Sequence, residues 1–155
     1  MAAREVGLDL HGRLRASLGD NPVECRVFDV YATRYKGSQF DVSALIPQVY
    51  LHFDPATALA RRTVGQNGSP LARQRMDFLI LFSDRHRVVL EVDGKQHYAT
   101  GDIASPALYS EMVSEDRRLR LSGYEVYRFG GAELMADDAD EMLAQFFDQL
   151  DNRMR

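Results

Sequence analysis

The chain has 155 residues, 45% of them hydrophobic and 27% charged, with a formal net charge of −4. That balance fits one soluble globular domain with its own core, and it excludes fibrous, low-complexity and membrane-spanning chains, because the sequence holds neither a long apolar run nor a signal peptide. The single cysteine, Cys25, excludes a disulfide framework and a cysteine metal cluster, so it reads as a small buried hydrophobe in a cytoplasmic protein.

In chain order, residues Arg4 to Leu18 read as a first helix, with Val6, Leu10, Leu14 and Leu18 four apart and Gly19 just beyond. Asp20-Asn21-Pro22 is a turn, and a second helix from Val23 to Tyr35 puts Val27, Phe28, Tyr31 and Tyr35 on one face. Glu24, in its first turn, reads as a solvated charge favoured by the helix dipole. Residues Asp41 to Pro47 read as irregular and Gln48 to Phe53 as a strand, in which His52 is a packed side chain rather than a ligand. Ala56 to Leu71 is a long polar loop whose Arg61 and Arg62 read as solvated, with phosphate contact as the alternative.

Two apolar runs follow, Met76 to Phe82 and Val88 to Val92, separated by Ser83-Asp84-Arg85-His86, which is the pattern of a β-hairpin covered on both faces. Three carboxylates break it: Asp77 near the start of the first strand, and Glu91 and Asp93 at the end of the second. A charge within an apolar strand is costly unless it is paired or holds a metal. Whether the acids meet depends on the register. A two-residue turn at Asp84-Arg85 pairs Asp77 with Val92, whereas an odd loop or a bulge pairs it with Glu91 or Asp93.

Ser105-Pro106 opens the next helix with a cap and a proline at its first position. Its apolar stripe is Tyr109, Met112, Val113 and Leu119, and Asp116 falls on that stripe, where it wants either Arg128 or the hairpin turn as a partner. Gly123 stops this helix, Tyr124 to Phe129 is a strand, Gly130-Gly131 turns the chain, and Asp138 to Leu150 is a last helix packing through Met142, Leu143, Phe146, Phe147 and Leu150. The acidity is local, since Met1 to Ala132 carry 17 basic and 16 acidic residues whereas Glu133 onward carry 2 and 7. The body can therefore present a basic face. One domain, 1–155, is expected, with an N-terminal helical part (1–46), a core (47–132) and an acidic C-terminal helix (133–155).

The run Glu91-Val92-Asp93-Gly94-Lys95-Gln96-His97, preceded by Asp77 and followed by Asp116-Arg117 and Gly123-Tyr124-Glu125-Val126-Tyr127-Arg128-Phe129, resembles the PD-(D/E)XK nuclease superfamily, in the branch related to very-short-patch-repair endonucleases. The resemblance covers roughly Arg73 to Phe129. It implies an α/β fold with a restriction-endonuclease-like core, a mixed central sheet and a β-hairpin flanked by helices. It also implies a metal-dependent phosphodiester hydrolase, a DNA endonuclease of repair or defence, with Mg²⁺ as cofactor and Mn²⁺ as an alternative. Asp77, Glu91 and Asp93 are then the metal ligands, assisted by the carbonyl of Val92, with Lys95 stabilising charge on the phosphoryl group and His97 acting as general acid or base. Glu24 matches the extra acid that an early helix supplies in this superfamily. The chain departs from the pattern at Asp93, where the superfamily has a lysine, and Lys95 is the nearest replacement. The alternative is a catalytically degenerate module of the same fold that binds nucleic acid or a partner protein, itself included, and a weaker third reading makes the strand acids of an unrelated α/β domain coincidental. No membrane partner is implied.

Overall fold

A computed structural model describes residues 3–37, 42–50, 75–94, 99–101 and 103–154. Their elements run α1 (Ala3–Ser17), α2 (Pro22–Gly37), β1 (Leu45–Tyr50), β2 (Arg75–Leu81), β3 (Arg87–Asp93), β4 (Ala99–Thr100), β5 (Ile103–Ala104), α3 (Pro106–Leu121), β6 (Tyr124–Gly130), α4 (Gly131–Leu134) and α5 (Ala139–Met154). Four strands form a mixed sheet in the order β1-β2-β3-β6. The β1–β2 and β2–β3 pairs are antiparallel, and β3–β6 is parallel, with α3 in the connection that a parallel pair requires. β4 and β5 make a separate two-stranded ribbon.

Helices cover both faces of the sheet, which is why β2 and β3 are nearly continuous apolar runs. On one face, Val27, Phe28 and Tyr31 of α2 and Leu143, Phe147 and Leu150 of α5 share a core with Phe78, Ile80, Val88, Leu90 and Phe129. On the other, Leu119 of α3 packs with Met76, Leu79, Val89, Tyr124 and Val126. Arg34 fastens α2 to α5 through the buried Asp151, at 2.5 Å, and through Asp148. Ser105 caps α3 by accepting the Leu108 N–H, ahead of Pro106, as the sequence implies. Gly123 ends α3 in a left-handed turn at φ 89.

Three expectations change. The first strand starts at Leu45 rather than Gln48 and takes in Pro47, which is tolerated because β1 lies at the edge of the described sheet and its missing N–H costs no ladder bond there. Tyr109 leaves the apolar stripe of α3 and is 57% exposed, since Leu119 alone of that helix is fully buried. Leu10 likewise faces solvent, whereas Leu18 is buried and Leu14 packs against the core. Of the described helices, none is long and apolar enough to cross a membrane. The polar stretch Ala56 to Leu71, and with it His52, Arg61 and Arg62, lies outside the described residues.

Candidate functional site

The site is built on the β2–β3 register. The Phe82 N–H donates to the His86 carbonyl at 3.0 Å, and the ladder continues through Leu81↔Arg87, Ile80↔Val88, Leu79↔Val89 and Phe78↔Leu90. The loop between the closing pair is therefore Ser83 to Arg85, and the register runs to Phe78↔Leu90, so that Asp77 and Glu91 are the next residues of the two strands. The Ser83 hydroxyl fixes this odd loop by accepting the N–H groups of Arg85 and His86 at 3.2 and 3.0 Å. Asp77 is half-buried, and its Oδ2 accepts the Val92 N–H at 2.9 Å.

A third acid comes from α2. Asn21 caps this helix, its side-chain oxygen accepting the N–H groups of Val23 and Glu24, while its amide donates to Glu24 Oε1 at 2.6 Å. This bond turns Glu24 inward, where it is 7% exposed. The expectation that Glu24 is a solvated first-turn charge is thus overturned. Gln48, in β1, adds a contact to the other Glu24 oxygen at 3.4 Å. Gln48 has φ 52, the positive-φ region that non-glycine residues rarely adopt, and in the β1–β2 register it falls opposite Asp77. Met76 and Phe78, two residues apart on β2, belong to opposite cores, so the regular alternation of the strand is broken at Asp77.

Glu24, Asp77 and Glu91 line one cavity of about 650 Å³, together with Arg75, Glu115 and Arg128. Burial holds the Glu24 carboxyl above its usual range, and the Asp77 charge adds to the shift. Glu91 is pushed up to about 9, again by burial first and Asp77 second. Its Oε1 is buried with no hydrogen-bond partner among the described residues. Two carboxylates facing one another in this way are stabilised by a proton or by a cation.

Asp93 takes a different place. It is buried, and its carboxylate accepts Arg128 Nη1 at 2.6 Å. Arg128 also donates through Nε and Nη2 to Asp116 at 2.8 and 2.7 Å. Of the two partners open to Asp116 in the sequence, Arg128 is the one observed, with the Asp116 side chain 20% exposed. The structure therefore brings Asp77 and Glu91 together at the cavity and engages Asp93 beside it in an ion pair. Lys95 and His97 lie outside the described residues.

The residues missed by sequence reasoning are Glu24 as a buried group, Asn21 as its clamp and Arg128 as a cavity residue. An Asn immediately before a proline at a helix start is a legible cap signal, although the sequence reads there only as a turn. Arg128 becomes visible only once β6 is known to lie parallel to β3, with Arg128 as the register partner of Glu91.

Among the described residues, no group of three or more His, Cys, Asp or Glu side chains is arranged to hold a metal ion outright. The donor set nevertheless fits a hard cation: it is all carboxylate oxygen, it includes a buried oxygen without a donor among the described residues, and its members repel one another. A second depression, around Arg15, Cys25, Arg26 and Asp29, contains none of the residues singled out for catalysis or metal binding. Comparison of the chain with protein-family models, with curated proteins and with solved structures finds no match.

Proposed function

We propose that the chain is a metal-dependent phosphodiester hydrolase, a nuclease of the PD-(D/E)XK type acting on DNA, built on a restriction-endonuclease-like core. The observation that carries this reading is the meeting of Asp77 and Glu91 in one cavity, with a Glu91 oxygen buried and without a hydrogen-bond partner among the described residues. When bound there, Mg²⁺ or Mn²⁺ would supply Lewis-acid chemistry, polarising a phosphoryl oxygen and acidifying water.

The chain's own residues do the rest. Asp77, aimed by the Val92 N–H, and Glu91 bind and orient the cation, with the Val92 carbonyl at the same end of β3. Glu24, from α2, adds a carboxylate to the same cavity. Asp93 holds Arg128 in place. Lys95 supplies positive charge to the phosphoryl group, and His97 exchanges a proton with the attacking or leaving oxygen.

The second reading, a module that binds nucleic acid or a protein without cutting, is favoured by one observation. Asp93 stands where the superfamily pattern has a lysine, and its carboxylate is already neutralised by Arg128. Incubation with plasmid, single-stranded DNA and RNA in Mg²⁺, Mn²⁺ or chelator separates the two. Cleavage that requires the metal supports the hydrolase, and binding without cleavage across the panel supports the module.

A further inference from the structure

We propose that Arg128, clamped between Asp93 and Asp116, is the group in this cavity that donates to an anionic oxygen of the substrate's phosphoryl group. The inference rests on the nuclease reading for the identity of the anion. Its basis is geometric. Parallel pairing of β3 with β6 makes Arg128 the register partner of Glu91, on the strand next to it, and the side chain lines the same cavity as Asp77 and Glu91.

A guanidinium carries five N–H donors in a fixed fork. Asp116 takes one from Nε and one from Nη2, and Asp93 takes one from Nη1. Two N–H groups are left without a partner among the described residues. Arg128 is 16% exposed and held from both sides, so little freedom remains to be lost when it meets an oxygen. Donors fixed in advance toward developing charge give their largest effect in a transition state. Asp93 and Asp116 are then positioning residues, and Arg128 is the contact.

The test has a binding arm and a kinetic arm. In the first, the Nε–Hε NMR signal of Arg128 is followed while inorganic phosphate is added to the protein in Mg²⁺, with the Asp77 and Glu91 carboxylate signals reporting the metal. The expected result is a saturable shift of the Arg128 signal, with phosphate binding lost in Arg128→Lys, which keeps the charge but not the fork. In the second, Arg128→Lys lowers kcat for plasmid cleavage by about 100-fold, the usual loss of an oxyanion donor, with little change in KM. Asp116→Ala, which frees Nε and Nη2 without removing Arg128, also lowers kcat, and it serves if Arg128→Lys fails to fold.

An Arg128 signal unmoved at saturating phosphate overturns the inference, as does wild-type kcat in folded Arg128→Lys. Should Mg²⁺ leave the Asp77 and Glu91 signals unchanged, the nuclease reading fails by itself. Phosphate added alone then decides Arg128, a shift supporting the anion contact and no shift overturning it.

Discussion

The carboxylate of Asp77 accepts the backbone N–H of Val92 at 2.9 Å, which pins the acid of one hairpin strand to the end of the other, directly beside Glu91. The bond aims Asp77 without neutralising it. Geometry and charge can therefore be separated by substitution. Asp77→Asn keeps an oxygen for Val92 and should fold with stability within about 1 kcal/mol of wild type, the size of one net hydrogen bond. Both Asp77→Asn and Asp77→Ala should reduce metal-dependent cleavage by at least about 100-fold. Thermal melts alongside plasmid cleavage check this, and near-normal cleavage by Asp77→Asn would remove Asp77 from the metal site.

Glu91 gives the protein a pH dependence with a definite sign. Its folded carboxyl titrates near 9 against an ordinary value of 4.5, so the folded state holds the proton more tightly than the unfolded chain. Cation-free protein should accordingly lose stability as pH rises from about 4.5 to about 9, by at most about 1.4 kcal/mol per pH unit, with the full benefit of the proton present only below that window. Glu91→Gln should flatten the slope, and divalent cation should restore stability at the alkaline end. Denaturant midpoints measured across the window test it, and a stability that rises through the same interval speaks against a buried Glu91 that holds its proton.

Gly123 closes α3 at φ 89, where an L side chain is strained, and a Cβ there would lie 2.8 Å from Arg87 Nη2. That contact is with the end of a long side chain, itself over the Tyr124 ring at 4.7 Å, and it can shift. The backbone strain cannot. Gly123→Ala should thus cost about 1–2 kcal/mol, most of it from the left-handed conformation. A melt unchanged from wild type would mean that this turn relaxes freely.

Lys95→Ala should leave nucleic-acid binding close to wild type while lowering kcat by about 10-fold or more, because its charge acts on the phosphoryl group in the transition state more than in the ground state. Binding by fluorescence anisotropy and turnover by gel assay provide the comparison. An unaltered kcat would leave Arg128 as the cation that matters.

Much of the fold was legible because the physics is local. The hairpin runs, the Ser105-Pro106 helix start, the Gly123 stop and the acidic last helix each follow from residues within a few positions of one another. The site was legible only in part. The hairpin acids announced themselves by interrupting apolar strands, but their register turned on whether the loop was odd or even. That was decided by the Arg85 and His86 N–H groups donating to the Ser83 hydroxyl. Glu24 was misread because a first-turn glutamate is ordinarily solvated, and only contact with Asn21 and Gln48 turns this one inward. Pro47 hid the beginning of β1 because a proline argues against a strand until that strand is known to be an edge.

We propose that Asp77 and Glu91 together hold a divalent cation. Titration of Mn²⁺ into the protein, with free ion followed by electron paramagnetic resonance, tests it most directly. Wild-type protein should hold Mn²⁺ at a site that is weakened at least about 10-fold in Asp77→Asn and in Glu91→Gln, since even an outer partner of a metal ligand costs that much in affinity, and that is preserved in Asp93→Asn, whose carboxylate serves Arg128 instead. Wild-type protein that takes up no Mn²⁺, or uptake that survives both Asp77→Asn and Glu91→Gln, would contradict it.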